Sequence, residues 1–190
     1  MAGTLEHFMM SQSGRSVLLA VGGGIAAYKS AMLCSRLVQS GYDLQVVMTT
    51  SATQFVGKTT FSALSGKPVQ TDSFAHQSMP LGTHIECSEN VDLMIVAPAT
   101  ANLLAKFATG IADDLLSTLY LQVACPVLLA PAMSASMWSK PAVKRNVDAL
   151  RGDGCHFVGP ESGWLSCRVK GEGRMSEPES IFEAATALLA

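Results

Sequence analysis

Apolar residues in this chain fall into short unbroken runs that alternate with segments repeating near helical spacing. Ser16–Val21 (SVLLAV) is such a run, and it stops at Gly22-Gly23-Gly24, the pattern of a buried parallel strand feeding a glycine turn. From Ile25 to Ser40 the apolar residues Ala26, Met32, Leu33 and Leu37 recur near helical spacing, and Gly41 supplies a stop. Asp43 to Thr49 reads as a second strand. Two strands joined by one helix make a right-handed crossover, so the sheet is parallel and helices cover it.

The alternation continues. Ala52 to Leu64 reads as helix, Asp92 to Ala97 as a third strand, and Thr100 to Gly110 and Asp113 to Val123 as helices. Val127 to Pro131 is a fourth strand, Lys140 to Leu150 an amphipathic helix, Cys155 to Val158 a fifth strand and Glu179 to Leu189 a closing helix. The fold class is therefore α/β: a doubly wound, mostly parallel sheet with helices on both faces, Rossmann-like. Gly159 to Arg174 is the one long stretch without periodicity, and loops of that length in compact domains are functional or disordered. Residues 1–15 are expected to be a flexible N-terminal segment, and 16–190 one domain.

Composition adds three limits. Hydrophobic residues make up 48% and charged ones 15% of the chain, more apolar surface than a well-solvated monomer needs, so subunit contacts are expected. A net charge of -2 gives no basic field for nucleic acid. The five cysteines are widely spaced without a C-x-x-C pair, which argues against zinc and for reduced thiols in a cytoplasm. No apolar run reaches the roughly 18 residues of a membrane span, and the first fifteen residues do not resemble a signal peptide.

In a sheet of this kind ligands lie beyond the carboxyl ends of the strands. Gly23, Gly24 and Ile25 open a helix and let backbone N–H groups approach a phosphate, or simply make a tight turn; the run matches neither a P-loop nor the dinucleotide fingerprint. Thr49 and Ser51 follow strand two, either as phosphate partners or as a helix N-cap. Ala97, Thr100, Ala101 and Asn102 follow strand three, where small residues let a flat ring lie close to backbone, although Thr100 and Asp113 also suit caps. Ala132, Met133 and Ser134 leave strand four with one hydroxyl in an apolar turn. His84 and Cys167 stand apart as a lone histidine and a lone loop thiol, each open to a structural or a chemical reading.

Six pieces in order carry a family resemblance: G-G-I-A-A-Y-K at 23–29, T-H-I-E at 83–86, A-P-A-T-A-N at 97–102, G-I-A-D-D-L-L-S-T at 110–118, P-A-M-S-A-S-M-W at 131–138 and G-E-G-R-M at 171–175. From about Ser16 to Glu177 the chain resembles the homo-oligomeric flavin-containing cysteine decarboxylases. The resemblance implies FMN, its phosphate held at the glycine turn and the Thr49 to Ser51 region, and its ring against Ala97 to Asn102. It implies a substrate with a cysteine carboxylate, held by Ala132, Met133, Ser134, Arg174 and Met175 under a clamp over residues 159–175. His84 is then the residue that assists proton removal, and Cys167 the thiol that protonates the ene-thiol product of decarboxylation. A neighbouring subunit completes the site in the family, which implies a homotrimer or homododecamer.

Two positions depart from the family pattern. Ser134 replaces an asparagine that binds the substrate carboxylate, and a shorter hydroxyl with one donor loses about 1 to 3 kcal/mol of that contact. Arg168 replaces a glycine after the clamp cysteine and reads as a solvated loop arginine or as a carboxylate or phosphate contact. The expected function is FMN-dependent decarboxylation of 4'-phosphopantothenoylcysteine to 4'-phosphopantetheine. The alternatives are decarboxylation of a C-terminal peptidyl cysteine and a non-catalytic FMN-binding regulatory subunit. The sequence stops after this domain, where many bacterial members carry a fused ligase.

Overall fold

A computed structural model describes residues 14–73 and 81–190. The expected flexible segment lies outside the described residues except for Gly14 and Arg15. Strands β1 (Ser16–Val21), β2 (Asp43–Met48), β3 (Leu93–Ala99), β4 (Val127–Pro131) and β5 (His156–Phe157) form one parallel sheet in the order β2-β1-β3-β4-β5. The order reverses between β1 and β3, so a crevice opens there beyond the strand ends.

Side chains of each inner strand alternate between two cores, because successive residues of a strand point to opposite faces. Val17, Leu19, Val21, Leu93, Ile95 and Ala97 face helices α1 (Ala27–Gln39), α2 (Lys58–Ser65) and α8 (Pro178–Leu189). Leu18, Ala20, Met94, Val96 and Leu129 face α4 (Ala101–Thr109), α5 (Leu115–Gln122) and α7 (Pro141–Gly152). Burial on both faces explains why these strands read as continuous apolar runs rather than as alternating ones. Short helices α3 (Thr83–Glu86) and α6 (Ala135–Trp138) lead into β3 and out of β4.

Two expectations need correction. The helix expected over Ala52 to Leu64 is a 3-10 turn, Ala52–Gln54, followed by α2, because Gly57 adopts an extended conformation (φ -68°, ψ 145°) and caps a new helix. The aperiodic stretch from Gly159 to Arg174 contains a two-stranded antiparallel ribbon, β6 (Glu161–Trp164) and β7 (Lys170–Arg174). Its strands lacked an apolar pattern because glycines carry the packing. A Cβ on Gly171 would sit 2.8 Å from Ala135 Cβ, and one on Gly173 would overlap the Met133 carbonyl. The ribbon thus lies backbone-close on the turn that leaves β4, and Met133 N–H donates to Gly173 O at 2.9 Å.

Candidate active site

The glycine turn is the hub of the site. A Cβ on Gly22 would overlap the Pro98 carbonyl and one on Gly23 would overlap Ser51, so the turn is wedged between the ends of β2 and β3. A Cβ on Gly24 would meet nothing nearer than Thr100 Cγ2 at 3.9 Å, which leaves that face open. The N–H groups of Gly23, Gly24 and Ile25 donate to no protein acceptor among the described residues. They precede α1, a 13-residue helix whose N-terminal end carries partial positive charge. Free amides and an open Cα face suit a phosphate group.

Beside the turn lies a cavity of about 350 Å³. Gly24, Ile25 and Lys29 make one wall, Ala132, Met133 and Ser134 the floor, and the ribbon the opposite wall through Trp164, Cys167, Arg174 and Met175. Every residue expected to bind substrate, together with Cys167, reaches this one space. A shallower groove of about 610 Å³ along α1 and the start of α8 carries none of the expected site residues.

Lys29 and Glu177 were not among the expected site residues. Lys29 is only 4% exposed, and its Nζ donates to Met175 O at 2.9 Å and to Glu177 Oε1 at 3.1 Å. Arg174 also donates to Glu177. The hydrogen bond from Lys29, reinforced by Arg174, holds the Glu177 carboxyl below the usual glutamate range. The base of the ribbon is thereby tied to the first turn of α1. A lysine in the first turn of a core-facing helix was the available signal, but its partner lies far along the chain.

The remaining expected residues take varied positions. Thr49 Oγ1 accepts from Ala52 N–H at 3.1 Å ahead of the 3-10 turn, whose cap residue Ser51 makes no side-chain cap bond, and Thr100 Oγ1 accepts from Leu103 N–H at 3.3 Å as the N-cap of α4. Ser51 is exposed beside Gly23. Ala97 is fully buried within β3, which runs on to Ala99, so only its backbone is available, and its carbonyl accepts from Ser30 Oγ at 2.6 Å. Ala101 and Asn102 open α4, with Asn102 exposed. His84 lies in α3, partly buried, and does not line the cavity of its own chain. Ser134 caps α6: its Oγ accepts from Met137 N–H at 3.4 Å and lies 3.1 Å from Ser136 Oγ.

Cys167 is exposed at the ribbon tip, whereas burial pushes the Cys34 and Cys87 thiols up to about 11. The next residue, Arg168, adopts φ 65°, a left-handed conformation that costs a non-glycine residue about 1 kcal/mol. That strain accounts for glycine as the usual occupant of such a position.

The flavoprotein family model ("Flavoprotein") matches residues 7–190. The chain belongs to the flavoprotein family. The coenzyme A biosynthesis bifunctional protein CoaBC of Bacillus subtilis (strain 168) is 49% identical over 91% of this flavoprotein and 43% of its own length. CoaBC of Mycobacterium tuberculosis (strain ATCC 25618 / H37Rv) is 45% identical over 92% of the chain and 41% of its own length. The chain thus spans less than half of the curated relatives it matches. Among solved structures, the FMN-dependent cysteine decarboxylase SpaF superposes with a TM-score of 0.82 at 34% identity, covering 94% of this chain and 99% of that one. A PPC decarboxylase mutant complexed with pantothenoylaminoethenethiol gives 0.81 at 28% identity, covering 92% and 98%. The five-stranded parallel sheet with helices on both faces is the architecture of these decarboxylases. Among the described residues no helix is long and apolar enough to cross a membrane.

Proposed function

We propose that this flavoprotein uses FMN to decarboxylate 4'-phosphopantothenoylcysteine to 4'-phosphopantetheine in coenzyme A biosynthesis. The observation that carries this reading is the single cavity that joins the glycine turn, Ser134 and the Cys167 ribbon. Relatives described as CoaBC and as cysteine decarboxylases support the same chemistry. The open face of Gly24 and the unpartnered amides of Gly23, Gly24 and Ile25 fit the FMN phosphate; Thr100, nearest to that open face, and the following Ala101 and Asn102 would lie against its ring, although none of the three lines the cavity of about 350 Å³. When bound, the flavin supplies the electron sink without which charge would build on a carbon unable to delocalise it.

The chain's own groups bind, orient and move protons. Ser134 and Arg174 face the substrate's polar groups, with Ala132, Met133 and Met175 supplying apolar contact. Cys167 delivers a proton to the ene-thiol carbon, and residues 159–175 act as the substrate clamp within the unit 16–190. His84, which does not line its own chain's cavity, would assist removal of the substrate proton in the site of a neighbouring copy. Exposed Ile25, Tyr28 and Met32, spaced along one face of α1 and the turn before it, support a homotrimer or homododecamer. Five free cysteines suit the cytoplasm.

Ser134 is the observation that favours a second reading, a non-catalytic FMN-binding regulatory subunit. Mass spectrometry of the products separates the two. The flavin-loaded chain is expected to yield 4'-phosphopantetheine, and Cys167→Ser to accumulate the ene-thiol, lighter by the hydrogens that the last step returns. His84→Asn is expected to keep flavin and lose turnover. Unchanged substrate with the unmodified, flavin-loaded chain overturns the decarboxylase reading.

A further inference from the structure

The ribbon closes through a three-residue loop. Arg168 N–H donates to Leu165 O at 2.9 Å and Leu165 N–H to Val169 O at 2.9 Å, with Arg168 left-handed at φ 65°. This is the turn-plus-bulge hairpin in which glycine is the default residue at the left-handed position. Arginine there works against the backbone's own preference. Nor does a local contact compensate, since Arg168 is exposed and has no ion pair or side-chain hydrogen bond among the described residues. Strain at a non-glycine residue points to a use outside the fold.

The surroundings show what that use is. Lys29 and Arg174, the two cations that line the cavity, are both engaged by Glu177. The glycine-turn amides are assigned above to the cofactor phosphate. Arg174 is already assigned to the substrate's polar groups beside Ser134 and shares its charge with Glu177, so a distal phosphate calls for a further cation at the rim. Cys167 lines the cavity while Arg168, the next residue along the chain, does not, so Arg168 sits at the rim, outside the enclosed space.

We propose that Arg168 is a specificity residue that binds the phosphate of the substrate's distal end, an inference that rests on the decarboxylase reading. A guanidinium matches phosphate in a two-point contact that glycine cannot make. The phosphate is a better partner than the carboxylate on positional grounds, because the carboxylate is assigned to Ser134 inside the cavity, whose lining includes Cys167 but not Arg168. A phosphate keeps its charge throughout, so the contact lowers KM without opposing the chemical step.

The test compares 4'-phosphopantothenoylcysteine with its dephosphorylated form on the flavin-loaded chain. Arg168→Asn removes the charge yet tolerates the left-handed backbone, and Arg168→Gly is the second variant should the first fold poorly. The preference in kcat/KM for the phosphorylated substrate is expected to fall about ten- to hundredfold in either variant, through KM. Arg168→Lys should retain part of it, and added salt should erode it only where the cation is present. An unchanged preference, an equal loss for both substrates, or a drop that follows Lys170→Gln instead overturns the proposal. In parallel, intrinsic tryptophan fluorescence, to which exposed Trp164 and buried Trp138 both contribute, follows binding of 4'-phosphopantetheine and of pantetheine, which needs no turnover. Arg168-dependent preference for 4'-phosphopantetheine in a chain that releases no CO2 would sink the decarboxylase reading and leave the phosphate contact standing. CO2 release with no Arg168 dependence would do the reverse, and binding and turnover of neither would overturn both.

Discussion

Lys29 Nζ donates to Glu177 Oε1 at 3.1 Å, joining the helix that follows the glycine turn to the segment that follows the ribbon. The same ammonium holds the carbonyl of Met175, a residue 1% exposed. One buried cation thus fixes the spacing between the proposed cofactor-phosphate site and the proposed clamp.

Lys29→Met should therefore destabilise the chain. It keeps the stem's volume but leaves the Met175 carbonyl without its donor, a loss of about 1 to 3 kcal/mol. Half-exposed Glu177 adds little, because water can solvate its carboxylate. Urea unfolding checks this, and a midpoint equal to that of the unmodified chain would contradict it.

Acid should loosen the same network. Glu177 is held below the usual glutamate range by Lys29, then by Arg174. Burial pushes the Asp114 carboxyl up, but hydrogen bonds from Lys106 and Ser117 outweigh it and leave the net direction down. Groups with depressed folded values stabilise the chain fully above the ordinary carboxylate range, about pH 4, and lose that contribution as pH falls through the folded values. Urea midpoints should decline below about pH 4 to 5, and Glu177→Gln should decline less. An equally steep decline in Glu177→Gln would contradict the role given to the carboxylate.

Alkylation should single out one thiol. Cys34 and Cys87, buried and pushed up to about 11, offer little thiolate, and burial also holds Cys125 and Cys155 above the ordinary range. Exposed Cys167 should take up iodoacetamide first, with Cys34 and Cys87 reacting only on unfolding, as read by peptide mass spectrometry. Modification of Cys34 as fast as Cys167 would contradict the burial.

Ser134→Asn should raise decarboxylation at least about tenfold. Asparagine also caps helices, so α6 keeps its start, and the amide adds donors toward the substrate carboxylate. A gain of that size corresponds to about 1.4 kcal/mol, within reach of one recovered hydrogen bond. No gain in steady-state turnover would mean the position is tuned to another ligand.

The sheet and its helices were legible because buried parallel strands write themselves as unbroken apolar runs, as Ser16–Val21 and Leu93–Ala99 do. The β6/β7 ribbon was not, because Gly163, Gly171 and Gly173 substitute close backbone contact for an apolar pattern. Gly57 broke an expected helix through its extended backbone, although a glycine within a helical pattern is often tolerated. At the site, Ser134 and Cys167 could be picked out by type and by resemblance. Lys29 could not, since a lysine becomes informative only once Glu177, distant in sequence, is seen beside it.

One measurement bears on all of this: CO2 released from 4'-phosphopantothenoylcysteine by the flavin-loaded chain under argon, with no added oxidant. On the proposed reading, in which bound FMN would supply the electron sink and Cys167 the returning proton, the cycle is redox-neutral, so CO2 should exceed flavin many-fold while 4'-phosphopantetheine accumulates. Release that stops once it equals the flavin present, or no release at all, would contradict it.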